Sequence, residues 1–195
     1  MAITPASKRP TGMTAFTIVW AGQLVSVLAS SMTQFALTIW AYQETGSALA
    51  LGAVNTFFLI PFLLLSPIAG AMVDRYNRKV MMMVSDLTAV LSTAAIFILY
   101  ATGNLQFWHM YIANVFNGLG NTFQWPAYSA TISTMLPKEQ YGRANGMMSL
   151  IDTGPGVIAP MLAGALLPVV ELTGVLSIDV ATFMLALLIL SFVHI

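Results

Sequence analysis

Asp152 is the residue of this chain best placed to do chemistry. It lies about ten residues into an apolar stretch, ~15 Å along a helix at 1.5 Å per residue. That depth is near the middle of a membrane. A carboxyl group there costs ~2.5–3.5 kcal/mol on insertion scales and is a functional candidate by default. It can carry a proton or meet a cationic substrate. The competing reading is a buried acid hydrogen-bonded to a neighbouring helix. Asn145, Ser149 and Gly156 fall on the same helical face as Asp152.

Two further faces carry amides and hydroxyls. Gln23, Ser26, Ser30, Gln34 and Thr38 recur at spacings of three or four, as do Asn114, Asn117, Asn121, Gln124 and Tyr128. Each set therefore shares one side of a helix. Amides in hydrocarbon are expensive unless paired, so both faces are predicted to meet protein or a water-filled cavity. Helix-to-helix hydrogen bonds, worth ~0.6 kcal/mol each, account for single residues. Two continuous faces favour a cavity in which the amides orient a substrate.

A third constellation is Gly70-Ala-Met-Val-Asp74-Arg75-Tyr-Asn-Arg78-Lys79. Its basic residues suit an ordinary cytoplasmic loop. Asp74, however, ends an apolar helix, where the macrodipole disfavours an anion. Arg75 and Arg78 are its available partners. Asp86, one to two turns beyond Lys79, is predicted to pair structurally with Arg75, Arg78 or Arg143. Asp179 and Glu44 fall near the outer surface and call for no special role, and His109 and His194 suit helix ends at the interface.

These residues sit in a chain that is 58% hydrophobic and 7% charged, where a soluble domain carries roughly 25% charge. Residues 10–43, 45–73 and 87–137 contain no Asp, Glu, Lys or Arg. About 20 apolar residues cross a bilayer, so the third run must fold back, at Thr102–Gly103–Asn104. The runs are too long and unalternating for barrel strands, and helices satisfy their own backbone. The prediction is an all-α membrane protein with a short cytoplasmic segment, 1–12. Six transmembrane helices follow at about 13–42, 48–73, 79–101, 106–135, 142–168 and 174–195. Lys8 and Arg9 resemble a signal-peptide n-region, but the uncharged stretch behind them is far longer than an h-region, so an uncleaved first span is expected.

Lysine and arginine mark cytoplasmic loops. In this topology Lys8, Arg9, Arg75, Arg78, Lys79, Lys138 and Arg143 all fall on one side. Both termini are then cytoplasmic. Predicted helices 2 and 5 carry prolines, helices 1 and 4 polar faces, and helices 3 and 6 one acid each, Asp86 and Asp179. This echo is the pattern of a three-plus-three inverted repeat. The absence of cysteine excludes disulfides and cysteine metal sites. Zero net charge argues against a nucleic-acid partner. No Tyr-Asp with Gly-x-Gly-Asp pattern accompanies Asp86 and Asp152, which argues against an intramembrane aspartyl protease. No catalytic or metal residues are assigned.

The Gly70–Lys79 segment resembles the major facilitator signature G-x-x-x-D-R-x-G-R followed by Arg or Lys, matching at Gly70, Asp74, Arg75, Arg78 and Lys79. Asn77 replaces the usual glycine; Asn also tolerates left-handed backbone. In that family the motif implies a cytoplasmic gate that binds the second half of the protein in one conformation. Gln43-Glu44-Thr45-Gly46-Ser47-Ala48, Ser85-Asp86-Leu87 and Trp125-Pro126-Ala127 are similar to the drug- and siderophore-exporter branch, which includes macrolide-efflux and enterobactin-export proteins. So are Leu136-Pro137-Lys138-Glu139-Gln140 and Arg143-Ala144-Asn145-Gly146. Ala159-Pro160-Met161-Leu162-Ala163-Gly164 partly resembles the antiporter motif ending G-P-x-x-G-G, and generic small-residue packing at Pro160 and Gly164 explains it equally well. Many proton-coupled members carry an arginine four residues before G-x-G, where this chain has Asn114 ahead of Gly118-Leu119-Gly120.

The resemblance implies the N-terminal six-helix half of a secondary transporter in the cell membrane. It would export hydrophobic or amphipathic small molecules, driven by a proton gradient and without a bound cofactor. Its implied partners are a small-molecule substrate, membrane lipids and a second six-helix half, since the chain stops at His194-Ile195. The alternatives are an uptake permease of the same superfamily or a non-transporting truncated half.

Overall fold

The computed structural model describes residues 12–193. Lys8, Arg9 and His194 lie outside the described residues. Long runs of Leu, Ala, Met and Ile without alternation close their backbone hydrogen bonds locally. Among the described residues the result is five α-helices: α1 Gly12–Thr45, α2 Ala48–Arg75, α3 Arg78–Ala101, α4 Phe107–Met135 and α5 Tyr141–Phe192. A short 3-10 turn, Lys138–Gln140, precedes α5, and there is no strand among the described residues. α1, α2, α3 and the run Lys138–Phe192 are long and apolar enough to cross a membrane. α4 has the length but is diluted by its amides.

The links are short and capped. Gly46 at φ 63 ends α1, its N–H donating to the Tyr42 carbonyl at 2.8 Å. Ser47 then caps α2, accepting from the Ala50 N–H. Asn77 is not left-handed. It sits at φ −64, ψ 118, and its side chain accepts from the N–H groups of Lys79 and Val80. The residue that replaces the signature glycine is therefore an N-cap for α3, a role that suits Asn better than Gly. Gly103 at φ 69 turns the chain between α3 and α4.

α5 departs from the expected pair of separate helices. A straight helix of 52 residues would extend ~78 Å. Yet Met148 and Ile151 near its start share one core cluster with Leu190 at its end and Val193 just beyond, all around Phe16 and Val19 of α1. The element therefore doubles back. It does so at Glu171, whose φ 56, ψ −178 interrupts the helical backbone. The boundary expected over 169–173 is condensed into that one residue. A β-carbon on Gly174 would lie 2.5 Å from Val170 Cβ, so the reversal needs glycine there.

Glutamate at this φ and ψ stores strain of ~1–3 kcal/mol. Glycine adopts the conformation freely but loses more chain entropy. Glu171→Gly should therefore raise stability by ~1 kcal/mol, read as a higher thermal unfolding midpoint in detergent. A lowered midpoint would mean that the side chain, not the backbone, holds the reversal.

α1 packs mainly on α5, α2 on α4, and α3 on both α4 and α5. Two apolar clusters result. One gathers Phe16, Val19, Met82, Tyr128, Met148 and Leu190. The other gathers Met32, Leu37, Ile96, Met110, Ala159 and Leu176. Along α1, the residues between the clusters include Gln23, Ser26 and Ser30; along α3, they include Asp86 and Thr93. The polar site is thus held between two apolar ends.

Candidate functional site

Along α1, Gln23 and Ser30 are seven residues apart, and so are Asp86 and Thr93 along α3. Seven residues are two turns, ~10 Å of rise. This shared register builds two polar levels. At the first, Asp86 accepts from Gln23 Nε2 at 3.0 Å and from Gln124 Nε2 at 2.9 Å, joining α3 to α1 and α4. Gln124 Nε2 also donates to Gln23 Oε1 at 3.2 Å. At the second, Asp179 accepts from Ser30 Oγ at 2.9 Å and from Thr93 Oγ1 at 3.4 Å, joining α5 to α1 and α3.

Both levels line one cavity of about 350 Å³. Eight of the ten residues on the two polar faces line it: Gln23, Ser26, Ser30, Gln34, Asn114, Asn117, Asn121 and Gln124. Asn114 donates back to the Met110 carbonyl at 2.9 Å. Thr38, by contrast, spends its hydroxyl on the Gln34 carbonyl of its own helix. The apolar wall includes Leu37, Phe58, Ile96 and Phe183.

The acids are distributed differently from the sequence reading. Asp86 is buried and bound by two amides, not by Arg75, Arg78 or Arg143. Arg143 itself is exposed. Asp179 is 1% exposed and lies inside the bundle, not near an outer surface. It comes eight residues after Glu171, ~12 Å into the returning arm. Asp152 is exposed. It borders a separate hollow of about 380 Å³ that shares Gln23, Asn121 and Gln124 with the cavity and is also lined by Tyr128. The polar residues of its face, Asn145 and Ser149, are exposed as well. The same argument that singled out Asp152, an acid in an apolar helix, applies to Asp86 and Asp179 and would have found them. Thr33, Thr93 and Ser85 were missed because isolated hydroxyls carry no distinctive spacing.

The signature segment divides in two. Arg78 Nη1 donates to the Ala130 carbonyl and to Thr134 Oγ1, and Lys79 Nζ donates to the Ser191 and Val193 carbonyls. These cations meet the C-terminal carbonyls of α4 and α5, where the helix dipoles favour them. Gly70, Asp74 and Arg75 are exposed, and space beside Gly70 is open. Gly164 is likewise exposed with open space beside it, whereas Pro160 is half-buried.

The family model described as Major Facilitator Superfamily matches residues 19–194. Macrolide efflux protein A of Streptococcus pyogenes is 28% identical over 180 residues, covering 92% of this chain and 44% of that protein. The multidrug efflux pump Tap of Mycolicibacterium fortuitum is 32% identical over 162 residues, covering 73% of this chain and 39% of the pump. The MFS-type transporter YfiS of Bacillus subtilis is 26% identical over 173 residues, with 88% and 40% covered. The chain thus spans less than half the length of the curated relatives it matches.

Proposed function

The chain belongs to the major facilitator superfamily, and from that premise we propose that it is the N-terminal half of a proton-driven exporter of amphipathic small molecules. The observation that carries this reading is the cavity: fourteen amide and hydroxyl side chains and two carboxylates set between two apolar clusters. Four helices with polar faces turned inward cost stability in a bundle that only has to pack. They suit a path for a solute. Relatives named for macrolide and multidrug efflux support export over uptake.

In this reading the chain makes six spans, α5 contributing two through its reversal at Glu171. Helices and arms one to three and four to six form the inverted repeat. The one-sided Lys and Arg distribution supports cytoplasmic termini in the cell membrane. A second six-helix body closes the cavity, and Asp74 and Arg75 form the gate against it. The exposed apolar face of α2, with Leu59, Ile60, Leu63 and Leu64, is left for lipid or for that second body.

The test is dye efflux in everted vesicles energised by a proton gradient. One sample holds this chain alone, the other this chain co-expressed with the C-terminal half of a macrolide-efflux relative. Uptake into the everted vesicles is expected only from the pair and is abolished by a protonophore. Transport by the chain alone would overturn the need for a second half. Transport indifferent to the protonophore would overturn proton coupling.

A further inference from the structure

Asp86 and Asp179 are the two acids of the cavity, and every side chain that donates to them is neutral. No lysine, arginine or histidine lines the cavity among the described residues. Charge inside a membrane is costly and is normally paired. Among the described residues the cavity holds two acids and no basic side chain.

One further atom at the cavity points the same way. Gln124 Oε1 is buried without a hydrogen-bond partner, while the amide nitrogen of the same side chain is committed to Asp86 and Gln23. An acceptor without a donor sits beside a carboxylate. Thr33, 5% exposed, adds a third hydroxyl beside Asp179 at the second level. An orphaned buried acceptor costs about 1–3 kcal/mol, so Gln124 Oε1 at the edge of a hollow marks a ligand with hydrogen-bond donors.

The spacing selects among cations. The two carboxylates occupy levels two turns apart, ~10 Å, and no group of three or more acids or histidines gathers among the described residues. Calcium and magnesium take six or more oxygens in one shell, which one carboxylate per level does not provide. An organic cation needs only one carboxylate and a neighbouring acceptor, and the Leu37, Phe58, Ile96 and Phe183 wall accommodates its apolar body.

We infer that the cavity is a recognition site for a small amphipathic molecule bearing a cationic, N–H-donating group, held between the Asp86 carboxylate and Gln124 Oε1, with Asp179 as a second acidic level. The assignment rests on the reading of the cavity as a solute path. It moves the cation contact from the exposed Asp152 to a buried acid, and it names the charge of the solute.

The full chain in nanodiscs of zwitterionic phosphatidylcholine is titrated with ethidium, an amphipathic cation with amino donors, and with Nile red, an uncharged dye. Asp86→Asn should weaken ethidium binding at least about tenfold, the loss expected for one charge-assisted contact, and leave Nile red unchanged. Asp86→Glu should recover most of the ethidium affinity. Asp152→Asn should change neither dye. Ethidium affinity equal in wild type and Asp86→Asn overturns the site, as does parallel loss of both dyes in Asp86→Asn and Asp86→Glu alike. Either result leaves the exporter reading standing. Selective loss of ethidium, combined with no energised transport by the paired halves, sinks the exporter reading and keeps the site.

Discussion

Gly118→Ala is expected to destabilise the bundle by ~3 kcal/mol, at the upper end of the cost of overpacking. Gly118 lies where α4 crosses α2. A β-carbon there would stand 2.3 Å from the Phe58 carbonyl oxygen and 2.9 Å from Pro61 Cγ. A backbone oxygen cannot rotate away as a side chain can, so the helices must separate. Nearby contacts would open with them, including the Phe57–Tyr111 ring stack at 4.5 Å. Gly156→Ala is the matched control. Gly156 is exposed on α5 with nothing within 4 Å of an added β-carbon. There alanine should gain ~0.5–1 kcal/mol from helix propensity. The two substitutions are chemically identical and should differ in sign. Unfolding in mixed detergent micelles measures both, and equal shifts would mean that the close approach of α2 and α4 is not needed.

Asp74→Asn is expected to reduce transport by the proposed two-half assembly roughly tenfold, the size of a typical coupling free energy between sites, without lowering the amount of chain in the membrane. Asp74 is exposed at the last turn of α2, where the dipole already disfavours its charge. Neutralising it removes no packing. A loss of transport would then come from contacts made outside this half. Lys79→Met provides the contrast, because Lys79 holds the end of α5 through two carbonyls. It should lower stability and abundance along with activity. Equal loss of abundance and transport in Asp74→Asn would place that residue, too, among the internal anchors.

The all-helical architecture was legible from composition alone, because apolar runs of this length have one way to satisfy their backbone in lipid. The faces were legible as well. Spacing of three or four fixes which residues share a side of α1 or α4, whatever those helices pack against. Depth and pairing were not legible. The position of Asp179 depends on where α5 turns, and the turn is made by Glu171, a residue with no propensity for positive φ. The partners of Asp86 depend on how α3 is rotated against α1 and α4, which is a property of packing. Arg78 and Lys79 were read by their charge and sequence neighbours, whereas their contacts are set by which helices end beside them. Asn77 was read as a substitute for glycine when its side chain was the point.

The pairing of α1 with the returning arm of α5 also has a consequence for synthesis. Ser30 and Asp179 are 149 residues apart, and at ~5–20 residues per second the ribosome needs roughly 7–30 s to make the second after the first. Through that interval α1 is without its main neighbour, and Ser30 lacks the carboxylate it will bind. Gln23 waits a shorter time for Asp86, 63 residues on. The order of translation therefore completes the Asp86 level before the Asp179 level, and the Ser30 end of α1 stays unpaired until the arm after Glu171 has been made.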